Sequence, residues 1–156
     1  MIGEKDRFVR RAEVLGALVR GLSRQDVCGM LAPDVGATAS ARTWLGEWPR
    51  PAEPGMQSVV ALGRLGVVET GSVLISEPAA DRAACLLAEH LWLLLPEKRL
   101  VPTLPAALAT AGDLARSGAP YLTFVSGPSR TGDIERVLTI GVHGPAALTI
   151  LLVDES

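Results

Sequence analysis

Apolar positions along the chain recur first at helical and then at strand-like spacing. Phe8, Ala12, Leu15 and Val19 lie three or four apart, charges fill the other face, and Gly21 follows the last of them. That spacing predicts an amphipathic helix over 4–20. The run Val27-Cys28-Gly29-Met30-Leu31, closed by Ala-Pro-Asp, reads as a short strand. A short helix is expected over 40–48, ahead of a loop that carries Pro49, Pro51 and Pro54. Val59, Val60, Leu62 and Leu65 suggest one or two helical turns. Val67-Val68 then runs through Glu69-Thr70-Gly71-Ser72 into Val73-Leu74-Ile75, the pattern of strand, tight glycine turn and strand.

The apolar run 91–95 ends at Pro96 and suits a central strand covered on both faces. A helix over 81–89 would precede it, and one helix over 82–95 fits the same periodicity. Positions 103–116 predict a helix closed by Ser117-Gly118. Positions 121–125 predict a strand, 134–138 a short helix or a strand, and 148–153 a last buried strand. Apolar strands alternating with helices imply an α/β sandwich with a largely parallel sheet and helices on both faces.

At 156 residues the chain is long enough for one domain with a substantial core. A hydrophobic content of 48% with 21% charged residues fits a globular protein. The net charge of −2 gives no reason to expect nucleic acid, which needs a clustered basic surface. The two cysteines, Cys28 and Cys85, form no CxxC pair, so a zinc or iron–sulfur site made by this chain alone is not expected. Both sit in apolar surroundings and read as small buried hydrophobes. The lack of a disulfide framework points to the cytoplasm. No signal peptide and no membrane span are expected, because no apolar run is long enough.

Three glycine turns each follow an apolar run: ETGS (69–72), GPSRTG (127–132) and GVHGP (141–145). In open α/β sheets such turns gather beyond the carboxyl ends of strands and hold ligands. In SGPSRTGDIE (126–135), small residues let backbone amides approach an anion, and Arg130 offers a bidentate fork. A helix starting near Thr131 would aim its N-terminal amides at the same place. The plainer alternative is a capped helix, with Ser129 or Thr131 as N-cap and Asp133 and Glu135 in its first turn. The Walker pattern and GxGxxG are both missing.

Glu69 closes an apolar run and is a candidate nucleophile or general base; alternatively it accepts backbone N–H bonds from a neighbouring turn. His143, between Val142 and Gly144, is a candidate acid–base group or a loop imidazole bonded to backbone. His90, ahead of 91–95, reads as structural. Candidate ligand-binding residues are Thr70, Gly71, Ser126, Gly127, Ser129, Arg130, Thr131, Asp133 and Glu135, and no metal ligands stand out.

SGPSRTGDIE, GVHGP and the final ALTILLV together resemble the C-terminal signature of the lactate-utilisation protein C family, the LUD domain. VVETGSVLI (67–75) is similar to that family's upstream ETG motif. The resemblance implies a single LUD-type domain over 1–156, with a shortened N-terminal part (1–56) and the signature region at 57–153. It implies a three-layer α/β/α sandwich with a mostly parallel central sheet, like the NagB/RpiA/CoA-transferase superfamily. It further implies an accessory role in oxidation of L-lactate to pyruvate beside iron–sulfur partner proteins. The clusters would sit on the partners and this chain would bind no cofactor of its own. Two alternatives stay open: a small-molecule enzyme using Glu69, and a ligand-sensing module without catalysis. A small anionic ligand and a homo-oligomer are compatible with each.

Overall fold

Three apolar runs, 59–62, 91–95 and 148–153, lie side by side and are each covered on both sides, and this builds the centre of the molecule. In a computed structural model, residues 1–48, 50–132, 138–140 and 144–156 are described, with backbone alone for 130–132 and 138–140. Strands β1 (Leu18–Ser23), β2 (Gly36–Ala37), β3 (Ser58–Leu62), β6 (His90–Pro96) and β11 (Ala147–Asp154) form one parallel sheet in the order β1-β11-β6-β3-β2. A second sheet, in the order β7-β4-β5-β8, contains β4 (Leu65–Val67), β5 (Ser72–Ser76), β7 (Leu100–Val101) and β8 (Leu122–Val125). It is mixed: β4 pairs parallel with β7, and β5 pairs antiparallel with both neighbours. Strands β9 (Arg130–Gly132) and β10 (Leu138–Ile140) pair with each other, antiparallel.

The strand period of two divides the core between the faces of the parallel sheet. Val59, Ala61, Leu91, Leu93, Leu95, Ile150 and Leu152 join one buried cluster with Phe8 and Ala12 of α1 (Glu4–Val14) and Ala84 and Cys85 of α4 (Ala79–Leu87). Val60, Leu62, Leu94, Leu151 and Val153 join the other, against Val27 of α2 (Val27–Met30) and Ala41 of α3 (Ala39–Leu45). The result is the expected sandwich: a mostly parallel central sheet between helices. The second sheet lies on the α1/α4 side through Val73 and Ile75. Its other face, carrying Leu65, Val67 and Leu74, is covered by Ala107 of α5 (Leu104–Arg116).

Several local expectations are corrected. The first helix stops at Val14, and Gly16 at φ +101° turns the chain into β1, which pairs with β11. Val19 kept the helical spacing by coincidence. Residues Val27–Met30 form one short helical turn in place of a strand, with Val27 and Leu31 buried four apart. Val59, Val60 and Leu62 lie in strand β3 and Leu65 opens β4, with no helix between: burial on both faces of β3 filled every position from 59 to 62 and mimicked three-four spacing. Cys28 is exposed, whereas Cys85 is buried and burial pushes its thiol pKa up.

Candidate functional site

The antiparallel pairing of β5 with β8 brings the ETGS and SGPS turns together. Val73 faces Val125 across the ladder, so Ser72 and Ser126 meet at the next step. Their hydroxyl oxygens are 2.6 Å apart, and either can donate. Thr70 Oγ1 donates to Ser72 Oγ at 2.9 Å and accepts from the Ser72 amide at 3.3 Å. A chain of three hydroxyls, Thr70–Ser72–Ser126, therefore links two turns that are distant in sequence. Ser72 is its middle member and was not among the sequence candidates, although it stands inside the ETGS motif.

Both glycines of these turns press against the end of α1. Gly71 lies at φ +76°, and a Cβ there would come within 2.5 Å of the Ala12 amide nitrogen. Gly127 lies at φ +71°, and a Cβ there would come within 2.5 Å of the Leu15 carbonyl oxygen. Positive φ and close backbone approach are the two conditions that only glycine meets freely. The third turn joins through Ser129, whose amide donates to the Pro145 carbonyl at 2.9 Å. Pro145 precedes β11, so the turns gather at the amino-terminal end of that parallel strand and not beyond its carboxyl end.

Beside them runs a groove of about 390 Å³, lined by Val14, Leu15, Leu86, the segment 123–129, Gly144 and Pro145. Ser126, Gly127 and Ser129 line this groove, and Thr70 and Gly71 stand beside it through the Ser72–Ser126 contact. The helix expected at Thr131 is not formed: Arg130 and Thr131 have strand backbone, opposite Ile140 and Thr139. A paired strand has no row of free N-terminal amides, so neither the helix-terminus reading nor the capped-helix reading holds at Thr131. Asp133, Glu135 and His143 lie outside the described residues, as do the side chains of Arg130 and Thr131.

Glu69 is exposed and lines a different cleft, together with Arg7, Arg10, Arg11, Val14 and Val68. Its Oε2 accepts the Leu104 amide at 2.8 Å, satisfying a donor in the first turn of α5. Val14 is the residue shared by the two clefts. His90 stacks on Trp92 with ring centroids 4.4 Å apart, and Nε2 meets Thr149 Oγ1 at 2.7 Å. Burial lowers its pKa.

A second carboxylate at the end of an apolar run escaped the sequence reading. Glu77 follows β5 and is 1% exposed. Its Oε1 accepts from Thr38 Oγ1 at 2.8 Å and from Ser40 Oγ, while Oε2 is buried without a hydrogen-bond partner. Burial raises its pKa, and the hydroxyls of Ser40 and Thr38 partly offset the shift. The available signal was the one that marked Glu69, an acid directly after an apolar strand. Among the described residues no three His, Cys, Asp or Glu side chains are grouped to hold a metal ion. Among the same residues no helix is long and apolar enough to cross a membrane.

A mostly parallel sheet between helices, with glycine turns gathered against α1, defines an α/β-sandwich protein. The LUD domain family model matches residues 61–153, and the chain belongs to that family. It is similar to lactate utilization protein C 1 of Bacillus mycoides strain KBAB4, with 31% identity over 100 residues, covering 62% of this chain and 43% of the relative. It is also similar to lactate utilization protein C of Bacillus pumilus strain SAFR-032, with 32% identity over 110 residues, covering 68% of this chain and 45% of the relative. The chain thus spans less than half the length of these curated relatives. In fold it is similar to the crystal structure of a DUF162 family protein from Deinococcus radiodurans, with a TM-score of 0.67 and 20% identity, covering 98% of this chain and 99% of that one.

Proposed function

We propose that this chain is an accessory protein of lactate utilisation, working beside iron–sulfur proteins that carry out the electron transfer. The observation that carries this reading is the groove at the gathered turns. Val14, Leu15, Leu86, Phe124, Pro128 and Pro145 give it an apolar wall, and Ser126 and Ser129 add hydroxyls. Val14 is 77% exposed at its rim. An apolar surface of this kind fits a protein partner. The names of the relatives supply the direction, toward lactate.

In this reading the hydroxyls and Arg130, next in the chain to Ser129, hold a small carboxylate such as L-lactate at the edge of the contact. The clusters sit on the partners, and this chain binds none of its own. A cytoplasmic setting belongs to the same reading, supported by two cysteines that are both free thiols.

The test is reconstitution. The purified chain is mixed with purified iron–sulfur proteins of a lactate-oxidation system. Association is followed by sedimentation, and L-lactate-dependent reduction of a dye by absorbance. We expect a complex, and we expect Val14→Asp to weaken it at least tenfold while the circular dichroism stays unchanged. Absence of a complex, or equal association of the variant, removes the reading.

A further inference from the structure

Helix α1 places Arg7, Arg10 and Arg11 at i, i+3 and i+4, which puts three guanidinium groups on one face. That face lines a cleft of about 470 Å³, closed on the other side by Val68 and Glu69 and at the end by Val14. Among the described residues, Lys5, Arg24, Lys98 and Arg116 pair with carboxylates. Arg7, Arg10 and Arg11 do not, as Arg20 and Arg50 elsewhere on the surface do not, but these three are grouped in one cleft. Glu4, Asp6 and Glu13 lie three or four positions from Arg7 or Arg10 along α1 and offset part of their charge, while Glu69 is the acid lining the cleft itself. An anion in the cleft meets three guanidinium groups and one carboxylate.

The cleft is also held in shape. Gly71 packs its backbone directly on Ala12, so the turn carrying Glu69 is pressed onto the helix carrying the arginines. Glu69 is fixed a second time by the Leu104 amide. Phe8 and Ala12, fully buried, anchor the opposite face of α1. The two walls therefore face each other in a fixed relation, and little ordering remains to oppose binding.

We propose that this cleft is a binding site for a small organic polyphosphate, distinct from the groove at the SGPS turn. Guanidinium forks match phosphate oxygens two at a time, and three forks suit a ligand with several phosphate oxygens better than a single carboxylate. Glu69 raises the threshold further: it repels a weak monoanion, and a polyanion overcomes it through the three arginines. Its remaining oxygen can accept from a hydroxyl or amine of the ligand. Val14, 77% exposed, offers an apolar edge for the organic part. The volume falls in the ordinary range for small-molecule sites. The site does not rest on the lactate reading.

The experiment is isothermal titration of the whole chain with inorganic pyrophosphate, orthophosphate and ADP at one fixed ionic strength. The expected result is saturable pyrophosphate and ADP binding with one site per chain, and orthophosphate at least tenfold weaker. Arg7→Gln and Arg10→Gln should each weaken pyrophosphate at least tenfold, and the triple variant with Arg11→Gln should abolish binding. All three positions are exposed and Gln is a good helix former, so these variants fold; circular dichroism checks it. Glu69→Gln should bind as well or more tightly. No saturable binding, equal affinity for orthophosphate, or full affinity in the arginine variants overturns the proposal. Association with iron–sulfur proteins should survive in the triple variant, so the two sites fail or stand separately.

Discussion

The hydroxyl oxygens of Ser72 and Ser126 lie 2.6 Å apart and join two turns that the chain reaches at very different times. Ser72 is buried and Ser126 exposed, so water replaces the bond from one side only. We expect Ser72→Ala to lower stability by about 1–2 kcal/mol and Ser126→Ala by about 1 kcal/mol or less. In a double-mutant cycle by urea unfolding the two should couple by at least about 0.5 kcal/mol. Strict additivity would show that the contact does not hold the turns together.

Gly71 and Gly127 have no room for a methyl group. Each has positive φ, and each would drive a Cβ into the backbone at the end of α1. Gly71→Ala and Gly127→Ala should each cost about 3 kcal/mol, combining left-handed strain with overpacking. For a chain of this size the melting midpoint should fall by roughly 6–12 °C. A fall of a degree or two in thermal unfolding would mean that α1 yields, and that the turns are not fixed against it.

Glu69 supports α5. Glu69→Gln keeps an oxygen acceptor for the Leu104 amide and should leave the midpoint within about a degree. Glu69→Ala removes the acceptor and should cost about 1 kcal/mol, as loss of a helix cap does. Hydrogen exchange at Leu104 should rise in the Ala variant and not in the Gln variant. Equal exchange in both would separate Glu69 from the helix.

Glu77 gives stability a sign with pH. Its folded pKa is raised above the ordinary value of 4.5 by burial. The folded state therefore holds the proton more tightly than the unfolded chain. This contribution is fully present below about pH 4.5 and is lost as pH rises through the raised folded value. Urea unfolding at a series of pH values should show that decline in the wild type. Glu77→Gln, which does not ionise, should lack it and gain relative stability at neutral pH. Parallel pH profiles for the two proteins would mean that Glu77 is charged at little cost.

The residues differ in how much of this they declared. Strand β6 was legible because 91–95 is apolar throughout and Pro96 ends it. Helix α5 was legible from its Thr103 cap to its closing Ser117-Gly118. Strand β3 was not, because burial on both faces erases the period that separates strand from helix. Gly71 and Gly127 announced turns but not their shared seat on α1, a contact that local pattern does not encode. Glu69 and Glu77 look alike in sequence, each an acid after an apolar run. Only the fold shows that one is exposed at the start of α5 and the other sealed under Thr38 and Ser40.

The seat of α1 also bears on how the chain is made. Ala12 and Leu15 find their glycine partners only after residues 71 and 127 have left the ribosome, and β1 pairs with β11 alone in its sheet. At roughly ten residues per second of synthesis the wait is about ten seconds. Throughout it Phe8 and Ala17, buried in the finished molecule, have no final place to go. Residues 8–17 therefore settle late, on a surface that the segments around 71, 127 and 147–154 must first complete.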